Sequence, residues 1–155
     1  MFVVMDDGVI GLKNLLGYHH MNEDWTNEGG WLACDMRRYL NEEVIALLPD
    51  ALIAAIKPRK FGEEEDKLWL FSEMEVFGDH DWTENDHDRG FQFEYFKDRR
   101  NRIKCNRKGG SPDWYWTASV GSGTSTNCVH VDGSGGSNYW NASDELCVRV
   151  CFVIQ

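Results

Sequence analysis

The sequence of 155 residues carries a formal net charge of −10, is 42% hydrophobic and contains seven tryptophans. This hydrophobic content excludes an intrinsically disordered chain, and the length suits one domain that buries roughly 70% of its unfolded surface. The negative charge argues against broad attraction to nucleic acid or to an anionic membrane. We therefore expect a single domain over residues 1–155, with neither nucleic acid nor a membrane as its partner.

The five cysteines and the amino terminus set expectations about redox chemistry and export. Their odd number and their spacing match neither a disulfide framework nor a zinc site, so free thiols are predicted. Met1–Met5 is followed directly by Asp6 and Asp7, which leaves no segment suited to a signal peptide or a membrane span. We predict cytoplasmic synthesis without a signal peptide, no cofactor and no metal.

The first half of the chain predicts a strand pair followed by helices. Two short apolar runs, Phe2–Met5 and Gly8–Leu12, flank a turn signal and predict an opening hairpin. Helical spacing starts at Asp35, a residue suited to the helix cap, and restarts after Asn41. A further short helix is predicted over Ala51–Ile56, because Lys57-Pro58 ends it.

The middle of the chain combines one strand signal with two helix signals. The apolar run Lys67–Phe71 predicts a buried strand, and Ser72–Glu75 has the spacing of a capping box that opens a helix. The segment Gly78–Gly90 is polar and acidic, which favours a loop. After it, Phe91 and Tyr95 are predicted to share one face of a helix.

The last third changes to the alternation typical of strands. Trp114–Val120 and the residues around Val129 and Val131 predict two strands. Leu146–Ile154 predicts one unbroken central strand, in which a buried Arg149 would need a carboxylate or carbonyl partner. The whole order predicts an α+β fold of short twisted antiparallel strands, two or more flanking helices and long C-terminal loops.

Four motifs resemble a known family when their order is considered: DMRRYLN at Asp35–Asn41, KLWLFSEMEVFG at Lys67–Gly78, DWYWTASV at Asp113–Val120 and LCVRVCFVI at Leu146–Ile154. They are similar to an uncharacterised domain family of bacterial and prophage proteins. That family is related to the formylglycine-generating enzyme and to retroelement-diversified proteins of the phage tropism determinant type. The resemblance implies a C-type-lectin-like fold, and it allows the chain to be the C-terminal part of a longer tail or surface-recognition protein.

The segment Gly121–Glu145 has the composition of a recognition surface, because fifteen of its twenty-five residues are Gly, Ser, Thr or Asn. A solvated loop whose Trp140 folds back into the core is the alternative. The segment itself indicates His130, Asp132, Asn138, Tyr139, Trp140 and Asn141 as ligand-binding residues. The variable contacts of the diversified proteins, as the resemblance implies, add Tyr115 and Asn127.

These observations favour a ligand-binding module without catalytic residues. The resemblance implies a receptor-recognition role, in a phage tail or as the variable protein of a diversity-generating retroelement. The partner would then be a protein or carbohydrate on a cell surface, and association with a virion and oligomerisation are compatible with this role. One alternative is an enzyme of the formylglycine-generating type, although no cysteine pair lies near Trp116. A structural or assembly domain without a small ligand is another, and nucleic-acid contact through the basic segment Lys97–Lys108 is a third.

Two polar clusters could suggest a metal site. Asp79–Asp88 is rich in carboxylate and imidazole groups but lacks the calcium-loop pattern, so a solvated acidic loop is the better interpretation. The pair His19-His20, near Glu23 and Asp24, is interpreted in the same way.

Overall fold

The computed structural model describes residues 2–83, 90–106 and 110–154. Its strands are β1 (Phe2–Val4), β2 (Val9–Leu12), β3 (Leu16–His19), β4 (Ile56–Lys57), β5 (Arg59–Phe61), β6 (Glu64–Asp66), β7 (Lys104–Cys105), β8 (Pro112–Asp113), β9 (Tyr115–Val120), β10 (Asn127–Val131), β11 (Ser137–Asn141), β12 (Leu146–Val148) and β13 (Cys151–Ile154). Its α-helices are short: α1 (Gly30–Ala33), α2 (Asp35–Arg38), α3 (Asp50–Ala55), α4 (Glu73–Phe77) and α5 (Glu94–Lys97). The fold is therefore mixed α and β, and mostly sheet.

Two open sheets organise the domain. One has the strand order β1-β2-β13-β4, and the other has the order β11-β10-β9-β12-β3. All pairs in them are antiparallel except β12 with β9. Two hairpins, β5-β6 and β7-β8, complete the strands. The buried core takes side chains from both sheets, including Val9, Trp116 and Phe152.

Several sequence predictions agree with this fold. The opening hairpin is confirmed, with Phe2 opposite Leu12 in the β1-β2 register. The helix predicted over Ala51–Ile56 is α3, one residue earlier at each end. All five cysteines are free thiols. None of the helices in the three described ranges has the length and apolar character needed to span a bilayer.

The helical region after α1 is arranged differently from the prediction. Cys34 caps α2, since its sulfur accepts from the backbone N–H of Arg37 at 3.4 Å, and Asp35 is the first helical residue. Asn41 does not restart a helix, because the chain continues through a π-helical turn over Tyr39–Val44. Its side chain instead serves the segment before α4: its Nδ2 donates to the carbonyl of Leu68 at 2.8 Å.

The predicted strand over Lys67–Phe71 is wrong. Within the described ranges, Trp69 alone of this run forms a β-bridge, through two backbone hydrogen bonds of 2.9 and 3.1 Å with Cys151, and the Phe71 carbonyl accepts one hydrogen bond from Ala118 of β9 at 2.8 Å. The run from Leu68 to Phe71 is nevertheless buried throughout. Apolar periodicity reports burial, and a short apolar run does not by itself distinguish a strand from a buried irregular segment. The capping box that follows is confirmed, with Ser72 and Glu75 bonded to each other's backbone.

Two further expectations need correction. Phe91 precedes α5, which begins at Glu94, so Phe91 and Tyr95 do not share a helical face. The C-terminal apolar run is not one strand but two, because β12 belongs to the five-stranded sheet and β13 to the four-stranded sheet. Arg149 and Val150 form the crossing between them.

Arg149 is a cation enclosed by aromatic rings at this crossing. It is 1% exposed, and its Nη1 donates to the Tyr115 hydroxyl at 3.2 Å. Its guanidinium carbon lies 4.9 Å from the centroid of the Phe96 ring and 5.5 Å from that of Phe71. Among the described residues, a phenol and aromatic faces take the place of the expected carboxylate or carbonyl partner, and aromatic faces attract a cation through their quadrupoles.

We predict that Arg149→Lys lowers the free energy of unfolding by about 2 kcal/mol, because a compact ammonium cannot lie flat against several rings. Urea denaturation would measure this change. Arg100→Lys is the matched control, since the Arg100 side chain is 88% exposed. An Arg149→Lys variant within about 0.5 kcal/mol of the wild type would contradict the prediction.

Candidate functional site

The strand β11 forms an exposed edge of the five-stranded sheet. Among the strands that the structure describes, it pairs only with β10, with Val129 opposite Tyr139 and Cys128 opposite Trp140. Its residues from Asn138 to Asn141 are all exposed. Because side chains alternate along a strand, Tyr139 and Trp140 point to opposite faces of the sheet.

On one face, Tyr139 packs against Trp82. The two ring centroids are 4.7 Å apart and the ring planes meet at 64°, while 39% of Tyr139 stays exposed. These rings, Asn127 and the loop 121–124 line a depression of about 260 Å³. This face therefore combines aromatic surface with amide, hydroxyl and backbone polar groups.

On the other face, Trp140 rests against Trp114. Their ring centroids are 5.8 Å apart, and both side chains remain partly exposed, at 46% and 39%. Beneath Trp114, the imidazole of His130 stacks nearly parallel at 4.9 Å and 13°. Burial lowers the pKa of His130, so the ring beneath Trp114 is uncharged at neutral pH.

Amide side chains border the aromatic residues. A second depression of about 260 Å³ lies along the strand and is lined by Asn127, Asn138, Tyr139, Trp140 and Asn141. The side-chain oxygen of Asn138 accepts from the backbone N–H of Tyr139 at 2.8 Å. We call the whole patch the β11 surface, and it consists of Trp82, Trp114, Asn127, Asn138, Tyr139, Trp140 and Asn141.

Five of the eight residues indicated by the sequence lie together on the β11 surface: Asn127, Asn138, Tyr139, Trp140 and Asn141. The alternative interpretation required Trp140 to fold back into the core, but 46% of this residue is exposed. His130 and Tyr115 are buried, at 0% and 1% exposure, so neither presents a side chain to a surface ligand. Tyr115 instead donates its hydroxyl to the carbonyl of Arg102 at 2.8 Å.

Asp132 shapes the turn that precedes β11. Its carboxylate accepts from the backbone N–H groups of Ser134 at 2.7 Å and Gly136 at 3.0 Å, and from the Ser134 hydroxyl at 2.7 Å. These hydrogen bonds and the Arg99 side chain nearby hold its pKa below the ordinary value despite burial. Asp132 therefore positions the hairpin and does not line either depression.

Two aromatic residues of the β11 surface are missing from the sequence prediction. The sequence contained a signal for Trp114: it lies two residues before Trp116 in an alternating pattern, so both side chains were expected on the same face of the sheet. Trp82 lies in the acidic segment and had no such signal. Trp82 contacts Tyr139, which is far from it in the chain, and local sequence patterns do not indicate such a contact.

The buried carboxylate of Glu73, at the start of α4, positions Trp82 relative to β11. One oxygen accepts from the Ser137 hydroxyl at 2.9 Å, and the other from the Thr83 backbone N–H at 3.1 Å. Both oxygens lie 3.2–3.3 Å from the Trp82 backbone nitrogen. Burial raises the pKa of Glu73, and these hydrogen bonds only partly counter the effect.

Comparison with known proteins places the chain in a family. The family described as Domain of unknown function (DUF6273) matches residues 5–155. The chain belongs to this family. No curated protein and no solved structure matches the chain. The expected membership of an uncharacterised domain family is thereby confirmed, while the links to the formylglycine-generating enzyme and to diversified proteins stay predictions.

The cysteines of this DUF6273 domain bear on the enzymatic alternative. Burial raises the pKa of Cys34 and of Cys147 to about 12, and it also raises the pKa of Cys128. A reactive cysteine needs the opposite, a lowered pKa in a partly exposed and electropositive place. Cys105 is the partly exposed thiol of the five.

The histidine pair of the DUF6273 domain has partners of its own. His19 stacks on Tyr39 at 3.9 Å, and His20 lies 3.7 Å from Asp35. Within the described ranges, no group of three or more His, Cys, Asp or Glu side chains is placed to hold a metal ion. Residues 84–88 of the acidic segment, and Arg107 and Lys108 of the basic segment, lie outside the described residues.

We predict that Glu73 makes the domain less stable as pH rises. Its folded pKa is raised, so the folded state holds the proton more tightly than the unfolded state between the ordinary glutamate pKa of about 4.3 and the raised value. Its contribution to stability is therefore fully present below this window and is lost as pH rises through the folded pKa. In urea denaturation across this window, Glu73→Gln should remove that loss, whereas Glu145→Gln, at an exposed site, should retain it. Equal pH slopes for wild type and Glu73→Gln would refute the assignment.

We also predict that a thiol reagent such as DTNB labels one cysteine quickly in the native domain, namely Cys105. The remaining four should react only on unfolding, because each is buried. The Cys105→Ser variant should lose the fast phase. Fast labelling of a second thiol, or a fast phase that survives in Cys105→Ser, would show an activated cysteine and revive the enzymatic alternative.

Proposed function

We propose that this domain is a ligand-binding module of the C-type-lectin-like fold that recognises a carbohydrate or protein on a cell surface through the β11 surface. The observation that carries the proposal is the arrangement of Tyr139 and Trp140. Both are exposed on an edge strand, and each packs against a tryptophan from another segment, Tyr139 against Trp82 and Trp140 against Trp114. Aromatic groups held in place in this way make contact area without losing much side-chain entropy on binding.

The exposure of these rings also supports a partner. Trp140 and Trp114 leave 46% and 39% of their area in contact with water. A cluster of exposed aromatic residues bordered by polar groups is typical of interaction sites, whereas single exposed apolar residues need no explanation. The asparagines beside them provide donors and acceptors that could select among ligands.

The Tyr139 face favours carbohydrate over protein as the first ligand class to test. Its depression offers two aromatic rings, the amide of Asn127 and the hydroxyl of Thr124 within about 260 Å³. The apolar face of a sugar ring can pack on an aromatic ring while its hydroxyl groups bond to amides and hydroxyls. The bacterial and prophage resemblance suggests a phage tail or a bacterial surface-recognition protein as the biological setting.

Two features support the finer fold assignment. The sheets are open and carry few, short helices, and the long segment between β9 and β12 contains the buried strand β10 and the exposed edge strand β11. The edge strand can vary in sequence without disturbing the core, because its exposed side chains contribute little burial. That property is the one a recognition surface needs.

The proposal predicts loss of binding without loss of fold. A fluorescently labelled domain should bind selectively to members of a glycan array and a panel of bacterial cells. Tyr139→Ala or Trp140→Ala should weaken that binding by at least about tenfold, corresponding to about 1.4 kcal/mol. Because the two side chains lie on opposite faces, the more damaging variant identifies the face that binds.

Phe2→Ala is the matched control, since Phe2 is 47% exposed on the other sheet and should bind as the wild type does. Thermal unfolding should show all three variants folded. Wild-type affinity in both β11 variants would contradict the proposal, as would unfolding of both, which would show that the two rings serve stability instead.

A further inference from the structure

The open edge of β11 presents backbone groups that its neighbour β10 does not use. In an antiparallel pair, residues that exchange backbone hydrogen bonds alternate with residues whose backbone groups point away from the partner strand. Just beyond one end of the β10-β11 register, the N–H of Ala142 donates to the carbonyl of Thr126 at 2.8 Å, and a second such bond of 2.9 Å closes the turn at the other end. The alternation between these bonds directs the backbone N–H and C=O groups of three residues to the open edge: Ser137, Tyr139 and Asn141.

Two of these outward groups already have partners. The N–H of Tyr139 donates to the side-chain oxygen of Asn138 at 2.8 Å, and the carbonyl of Asn141 accepts from the N–H of Asp144 at 3.1 Å. Within the described ranges, the carbonyl of Tyr139, the N–H of Asn141 and both groups of Ser137 have no hydrogen-bond partner. The edge therefore offers a defined set of donors and acceptors to another chain.

The available groups fit a parallel strand. A residue of a parallel strand donates its N–H to one carbonyl and accepts at its own carbonyl from the N–H two residues further along. The carbonyl of Tyr139 and the N–H of Asn141 are such a pair, on either side of Trp140. Antiparallel pairing needs both groups of one residue, and in the described part of the chain only Ser137, at the end of the strand, keeps both. Two copies related by a two-fold axis would pair antiparallel at this edge, so a second copy of the chain fits it poorly.

The surroundings of the edge define the chemistry of the added strand. Strand β11 contains neither a charged residue nor a proline, the features by which exposed edges usually avoid pairing. Arg99 lies at the turn before β11, where its Nε donates to the carbonyl of Ser134 at 2.8 Å, whereas Asp144 and Glu145 are exposed just after the strand. A parallel strand therefore meets positive charge at its N-terminal end and negative charge at its C-terminal end. The side chain beside Trp140 packs best if it is β-branched or aromatic.

We propose that β11 accepts an extended segment of a partner protein as an added parallel strand, with a β-branched or aromatic residue beside Trp140, acidic residues before it and basic residues after it. In this kind of strand addition, main-chain hydrogen bonds give affinity and alternate side chains give specificity. The inference goes beyond the proposed function, because it concerns the backbone edge of β11 and not the aromatic faces of the strand.

Two capped peptides of the same composition test the direction of the added strand: acetyl-EESVTVSKK-amide and its reverse, acetyl-KKSVTVSEE-amide. Titration of the isotope-labelled full chain, followed by NMR, should give a Kd below about 1 mM for the first peptide and at least about fivefold weaker binding of the second. The backbone amide of Asn141 should shift most strongly, because it is the donor. No binding of the first peptide at millimolar concentration, or equal binding of both peptides, would overturn the proposal.

The variant Asn141→Pro tests the backbone donor, because proline lacks the N–H and is tolerated where the N–H of an edge strand faces solvent. Its matched control is Asn141→Ala, which removes the same side chain and keeps the N–H. The proline variant should bind the first peptide at least about fivefold more weakly than the alanine variant, as expected for one lost hydrogen bond. Equal binding by the two variants would refute the proposal. Since both lack the Asn141 amide, a role of that side chain in recognising a cell-surface ligand cannot produce the difference.

Asn138→Ala gives a second test, which decides the matter if Asn141→Pro fails to fold. Removing the Asn138 side chain releases the N–H of Tyr139, which can then donate to the added strand. The affinity for the first peptide should therefore rise by about fivefold, and unchanged or weaker binding would contradict the proposal. Peptide titration and the glycan array are separate measurements, so this proposal and the proposed function can each fail without the other.

Discussion

The buried carboxylate of Glu73 is the interaction on which the arrangement of the β11 surface depends. Its oxygens accept hydrogen bonds both from the backbone at Trp82 and Thr83 and from the hydroxyl of Ser137 at the start of β11. The backbone N–H of Glu73 itself donates to the hydroxyl of Ser119 in β9 at 2.8 Å. A buried carboxylate is costly unless its oxygens are hydrogen-bonded, so the segments that satisfy it are held in fixed relation. The contact between Trp82 and Tyr139 follows from this constraint.

Local signals in the sequence were sufficient for part of the fold. The opening hairpin, the helix α3 and the capping box at Ser72 each depend on residues within a few positions of one another, and they were predicted correctly. The change from one sheet to the other at Arg149 could not be predicted from local signals, because the apolar alternation of Leu146–Ile154 continues without a break across it. The segment Lys67–Phe71 was misassigned for a related reason, since its partners, Asn41 and Cys151, are distant in the chain.

The candidate site was predictable to the extent that composition reports exposure. Aromatic residues among asparagine, serine and glycine cannot form a core, which correctly indicated an exposed surface at Tyr139 and Trp140. The same composition did not separate Tyr115 and His130, whose polar atoms are buried, from residues that face solvent. It also could not reveal that Tyr139 and Trp140 lie on opposite faces, since that depends on the pairing of β11 with β10.

Specificity should be decided at the β11 surface, and a displayed library tests this most directly. One library would randomise Asn127, Asn138, Tyr139, Trp140 and Asn141, and a second would randomise five exposed positions on β1 and α3. Both would be sorted for folded display and then for binding to a panel of bacterial cells. We expect the first library to change or lose cell preference while display persists, and the second to retain the wild-type preference. Equal effects in the two libraries, or loss of display in the first, would contradict it.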